Sequence, residues 1–142
     1  MTKILVIEDE APIRDKIVTV LKYENYDVID APNGREGVVS AQHNRPDLII
    51  CDVLMPDMNG YSALAALRDD PITSDIPVIF LTAAASRADM RKGMELGADD
   101  YITKPYTVEE LLAAVRTRLE RQKTIKRASS SDVGSSEDST DS

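Results

Sequence analysis

Five side chains stand where they could do chemistry together: the neighbours Glu8 and Asp9, then Asp52, Thr82 and Lys104. Each ends or closely follows a short apolar run. Three carboxylates brought to one place repel one another, and burial raises the pKa of at least one unless positive charge comes between them. A divalent cation would do this. Oxygen-only ligands in small number suit Mg²⁺, which prefers octahedral geometry at about 2.0–2.1 Å and keeps several waters. Asp9 and Asp52 are the expected direct ligands, with Glu8 acting through water. A carboxylate can also accept a phosphoryl group covalently, and the transfer needs in-line positioning and neutralisation of charge on three equatorial oxygens. The metal suits one oxygen, the Lys104 ammonium a second and the Thr82 hydroxyl a third.

For these residues to meet, the apolar runs must be parallel strands. Ile4-Leu5-Val6-Ile7, Leu48-Ile49-Ile50-Cys51 and Val78-Ile79-Phe80-Leu81 are continuously apolar, the pattern of strands covered on both faces in a parallel sheet. Val28-Ile29 and Tyr101-Ile102 are shorter runs of the same kind. Between them apolar residues recur with helical spacing, most clearly at Ile13, Ile17, Val20 and Leu21 and at Val108, Leu111, Leu112, Val115 and Leu119. Weaker stripes occupy 34–43, 60–69 and 87–96. Turn signals at Asn33-Gly34, Pro56 to Gly60, Pro71, Pro77 and Gly97 punctuate the series. The result is a (βα)₅ order and an α/β fold: a doubly wound, five-stranded parallel sheet of order 2-1-3-4-5, the flavodoxin-like three-layer sandwich, whose site lies at the carboxyl ends of its strands. Parallel strands share that edge, so Asp9 and Lys104 can approach within a few ångströms.

With 142 residues, 42% of them hydrophobic, the chain suffices for one compact domain. Its net charge of −8 argues against a protein built to hold nucleic-acid phosphates. Apolar runs of five residues or fewer fall far short of the roughly 20 needed to cross a bilayer, and the first residues lack a signal peptide's apolar core; a cytoplasmic protein without membrane contact is expected. After Arg127 the chain turns to Ser, Gly and four acids without a base, a composition that predicts disorder. The basic residues Arg116, Arg118, Arg121, Lys123, Lys126 and Arg127 read as a solvated helix end that suits the helix dipole.

The segments Ile7-Glu8-Asp9-Glu10, Cys51 to Pro56, Leu81-Thr82-Ala83 and Asp100 to Pro105 together resemble the bacterial two-component response-regulator receiver family, the CheY-like domains. The resemblance covers about residues 2–123 and sets a receiver domain at 1–123, with 124–142 as a disordered Ser/acidic tail or the start of a linker. It implies that Asp52 is the phosphoacceptor, that Glu8, Asp9, Asp52 and the Leu54 backbone carbonyl hold Mg²⁺, that Lys104 contacts the phosphoryl group, and that Pro105 follows a cis peptide bond. It further implies a switch in which Thr82 moves toward the phosphoryl group and Tyr101 turns inward behind it. The implied partners are a sensor histidine kinase or phosphotransfer protein, a downstream output domain or target, and, in many relatives, a second copy on phosphorylation. Such a protein is a switch that catalyses only its own phosphoryl transfer and loss, not an enzyme. Glu8 departs from the Asp that many members carry first in the acidic pair. Leu54 and Ala84 are apolar, so neither can orient a water that attacks the phosphoryl group.

Blander readings compete. Asp52 alone could be an ordinary strand-ending acid, Thr82 a loop cap and Tyr101 a half-buried packing residue; it is their shared edge that favours chemistry. Cys51 reads as a small buried hydrophobe and His43 as a solvated residue near a helix end. An Asp-nucleophile phosphatase of the haloacid dehalogenase type would need a second acid at Leu54. A flavodoxin would need hydroxyls, not acids, after the first strand. A third alternative is the receiver portion of a larger regulator or kinase whose output domain is absent from this chain.

Overall fold

A computed structural model describes residues 1–83 and 87–134, with side chains described outside 87–90 and 123–134. Five strands and five helices alternate along the chain: β1 Lys3–Ile7, α1 Ala11–Tyr23, β2 Asp27–Ala31, α2 Gly34–Asn44, β3 Leu48–Asp52, α3 Gly60–Asp69, β4 Val78–Thr82, α4 Arg87–Glu95, β5 Asp100–Thr103 and α5 Val108–Gly134. The strands form one sheet of order β2-β1-β3-β4-β5, with every pairing parallel. This is the doubly wound α/β architecture expected from the sequence.

Alternation along each strand sorts the core into two layers, because successive side chains point to opposite faces. Leu5, Ile7, Ile49, Cys51 and Phe80 meet Ala41 of α2 and Leu64 and Leu67 of α3 on one face. Ile4, Val6, Leu48, Ile50, Ile79 and Leu81 meet Ile17 and Leu21 of α1 and Leu111, Leu112 and Val115 of α5 on the other. Full burial of one such side chain contributes roughly 1.5–3 kcal/mol, and that decides how α1 is placed. Its N-cap, Glu10, makes no side-chain cap hydrogen bond, a loss of about 1 kcal/mol that burial of Ile17 and Leu21 outweighs. Other helices have stronger starts. Asn33 accepts from the Glu36 N–H at 2.8 Å, Asn59 from the Ser62 N–H at 2.9 Å, and Thr107 and Glu110 form a reciprocal capping box.

β5 is anchored by a network that crosses elements. The Arg68 guanidinium of α3 donates to the carbonyls of Gly97 and Ile76, each at 2.7 Å, and pairs with Asp99 at 3.2 Å. Asp99 also accepts from the Val78 N–H at 2.8 Å. The turn before β5 is thereby fixed to the start of β4, which sets the level of Lys104 beyond the strand's other end.

One boundary differs from the compositional expectation. The α5 backbone runs on to Gly134, so 124–134, assigned above to a disordered tail or linker, continues the helix. Once a helix is nucleated, each further residue adds a hydrogen bond for one residue fixed, and a change of composition does not by itself end it. The remainder of that tail, 135–142, lies outside the described residues, as does Ala84.

Candidate functional site

The register brings the reactive groups to one edge. β3 reaches the level of β1 through Ile7↔Cys51, β4 pairs Leu81 with Asp52, and β5 pairs Thr103 with Thr82. One residue beyond, the Lys104 N–H donates to the Thr82 carbonyl at 2.7 Å, and the Lys104-Pro105 bond is cis. From there the Lys104 ammonium stands 3.7 Å from Glu8 Oε1 and 3.7 Å from Asp52 Oδ2. Glu8, Asp52 and Thr82 are all buried, exposed by 1%, 4% and 3%.

Burying two carboxylates beside one ammonium leaves negative charge in excess. Loss of solvent pushes the Glu8 carboxyl up to about 7; the Glu10 N–H opposes this, Asp52 adds to it, and Lys104 opposes it. Glu8 Oε2 accepts from the Glu10 N–H at 3.1 Å, and the Glu8 carbonyl accepts from the Arg14 guanidinium at 2.8 Å. Arg14 is held in turn by Asp30 at 3.3 Å.

The acids that follow β1 fit a metal ion. Glu8, Asp9 and Glu10 offer carboxylate oxygens that all lie within 4.8 Å of one another. Glu8 Oε1 and Asp9 Oδ1 are buried without a hydrogen-bond partner among the described residues. A buried acceptor in that condition costs about 1–3 kcal/mol or more, and a hard cation satisfies it. Asp52 joins this group through Lys104. Leu54 lies at the rim, 65% exposed, and its hydrocarbon side chain has no donor atom, so only its backbone carbonyl could serve as a ligand.

Tyr101 sits on the opposite side of the sheet from α1 and α5. Its ring packs edge-on against Phe80 with centroids 5.4 Å apart, and its hydroxyl donates to that of Tyr61 at 3.0 Å. Cys51 is buried, and loss of solvent pushes its thiol well up, with Asp52 and Glu8 adding to the effect. His43 is exposed. Sequence reasoning passed over Glu10, Arg14, Tyr61 and Gly93. Glu10 belongs to the acidic run already singled out; no spacing signal marks the other three, because their roles come from contacts between different elements. Beside Lys104, a hollow of about 440 Å³ opens between α1 and the β5–α5 loop, lined by Ile13, Lys16, Ile17, Pro105 and Tyr106 among others. No helix among the described residues is long and apolar enough to cross a membrane.

The sequence pattern of the response regulator receiver domain matches residues 4–116. Over 128 residues, 90% of this chain and 53% of the relative, the chain is 42% identical to the DNA-binding dual master transcriptional regulator RpaA of Synechocystis sp.. It is 39% identical over 118 residues to the phosphate regulon transcriptional regulatory protein PhoB of Pseudomonas aeruginosa, covering 83% of this chain and 52% of that one. The chain thus spans about half the length of these relatives. Among solved structures, Vibrio cholerae chemotaxis protein CheY4 superposes with a TM-score of 0.79 at 33% identity, over 82% of this chain and 98% of that one.

Proposed function

The chain belongs to the response-regulator receiver domain family of two-component signalling, and from that premise we propose that it receives a phosphoryl group on Asp52 and reports it through the face that carries Tyr101. The observation that carries this reading is the Lys104 ammonium set 3.7 Å from both Glu8 and Asp52 at a buried strand edge. A cation so placed accompanies the acceptor carboxylate through the reaction and can take a phosphoryl oxygen as charge builds there.

In the proposed reaction an Asp52 carboxylate oxygen attacks phosphorus in line. The O–P bond forms while the bond from phosphorus to the donor breaks, and the electron pair leaves with the donor, a phosphohistidine of a kinase or phosphotransfer protein. Lys104 neutralises one equatorial oxygen and the Thr82 hydroxyl donates to another. Glu8, Asp9, Asp52 and the Leu54 carbonyl would hold Mg²⁺, which supplies charge neutralisation for a third. The hollow beside Lys104, with Ile13 and Lys16 on its α1 wall, gives the donor an apolar seat next to the acceptor. Drawn toward the phosphoryl group, Thr82 vacates space that Tyr101 fills, and the surface presented to a target or output domain changes. The reading makes the protein a cytoplasmic switch with no turnover of a diffusible substrate.

The test is incubation with Mg²⁺ and acetyl phosphate, followed by intact mass. One added phosphoryl group is expected, absent in Asp52→Ala and after chelation of Mg²⁺. No gain in the wild type with several donors would overturn the reading. The share of each relative that this chain covers favours a second reading, in which the receiver works joined to an output domain such as those of transcriptional regulators; the open reading frame decides it.

A further inference from the structure

Around Tyr101 lies a set of contacts that phosphoryl transfer does not use. Tyr61, the second residue of α3, and Tyr101 on β5 both pack edge-on against Phe80, each with ring centroids 5.4 Å away. Their hydroxyls meet at 3.0 Å. Gly93 of α4 leaves the room for this: a Cβ there would overlap the Tyr101 hydroxyl and lie 2.6 Å from its ring Cε1. The Lys92 ammonium stands 5.3 Å from the Tyr61 ring centroid, close enough for a cation–π attraction. The start of α3 is itself seated on the end of β3. The Gly60 N–H donates to the Val53 carbonyl at 2.8 Å, and a Cβ at Gly60 would stand 2.6 Å from the Asp52 carbonyl oxygen.

We propose that Tyr61 is a positioning residue for Tyr101: its hydroxyl holds the Tyr101 ring inward over the notch at Gly93, and ties that ring to α3 and the Asp52 backbone as well as to Thr82. The proposal rests on the reading of Tyr101 as part of the switch. Two routes then converge on one ring, one through the hydroxyl at the end of β4 and one through the glycine step that opens α3. A neutral hydrogen bond of this kind shifts a two-state population by about two- to tenfold. By linkage, if phosphorylation favours the inward ring, the Tyr61 hydroxyl favours the phosphorylated state by the same factor.

Tyr61→Phe keeps the ring against Phe80 and removes only the hydroxyl, so it separates positioning from packing. Fluorotyrosine placed at position 101 alone, in the full chain, gives a fluorine NMR signal from that ring. Urea-unfolded protein marks the solvated position, and Gly93→Ala, which expels the ring, marks an outward position in the folded state. The Tyr61→Phe signal is expected to move from the wild-type position toward the solvated one without phosphorylation. A signal unchanged by Tyr61→Phe overturns the proposal, and the comparison with unfolded protein suffices should Gly93→Ala fail to fold. Acetyl phosphate with Mg²⁺ tests the underlying reading separately. If mass shows Asp52 phosphorylated while the wild-type signal stays still, the switch reading fails and the proposed link to Asp52 with it, whereas the hold of Tyr61 on Tyr101 is judged by the unphosphorylated pair alone.

Discussion

At 1% exposure the Glu8 carboxylate has lost nearly all its water, and the ammonium it pairs with, that of Lys104, is shared with Asp52. With its carboxyl pushed up to about 7, against 4.5 for the unperturbed group, the folded protein binds this proton more tightly than the unfolded chain does. Stability of the metal-free protein must therefore fall as pH rises from about 4.5 to about 7, with the cost absent below that window and complete above it. At about 1.4 kcal/mol per pKa unit, the cost is a few kcal/mol. Glu8→Gln removes it. Urea unfolding without metal should place the variant level with wild type near pH 4.5 and on the order of 3 kcal/mol above it at pH 8, and Mg²⁺ should narrow the gap by stabilising only wild type strongly. A gap independent of pH would mean that burial of this carboxylate carries no such cost.

Which elements exist, and which reactive residues sit at their ends, could be read from the sequence, because a strand buried on both faces must be apolar throughout and a parallel sheet gathers its carboxyl ends. Ile4 to Ile7, Leu48 to Cys51 and Val78 to Leu81 carry that signal, and α3 occupies 60–69, where a weaker helical stripe follows the turn signal of Pro56 to Gly60. Edge strands were legible only in part. β2 extends beyond Val28-Ile29 to Asp27–Ala31 because an edge strand tolerates exposed acids that hide its pattern. Contacts between elements left no periodic trace, and so Arg14, Tyr61 and Gly93 emerge only in three dimensions. Gly60 shows how an element start disciplines the site. Its Cβ would stand 2.6 Å from the Asp52 carbonyl oxygen and 2.8 Å from the Val53 Cα, both backbone atoms that cannot step aside. Gly60→Ala should therefore lift α3 off the end of β3, destabilise the protein by about 1–3 kcal/mol and slow phosphorylation of Asp52 by acetyl phosphate. Chemical denaturation and timed intact-mass measurements check the two effects, and loss of stability at an unchanged phosphorylation rate would show that α3 does not position the acceptor.

Across the whole molecule, the two core layers meet on β3, the central strand of the sheet, which pairs with β1 on one side and β4 on the other and carries helices on both faces. Cys51 lies within it, in register with Ile7 of β1 and Phe80 of β4. The residue is 2% exposed, and its thiol is pushed well above its usual pKa by loss of solvent and by the nearby Asp52 and Glu8 carboxylates. The thiolate is the form that attacks a maleimide, so the folded state offers the reagent neither access nor the reactive form. Opening around Cys51 would require β3 to leave β1 or β4, which breaks both core layers at once; a local fluctuation does not achieve it. Maleimide labelling of Cys51 should therefore proceed only through global unfolding, with a urea dependence equal to that of equilibrium unfolding. The Mg²⁺ proposed for this site would bind the folded state alone, so at about 100 times its Kd it should slow labelling about a hundredfold where opening and reclosing are fast. Rapid labelling that ignores both urea and Mg²⁺ would mean that β3 opens independently of the rest, and that the carboxylate edge it carries is not held by the global fold.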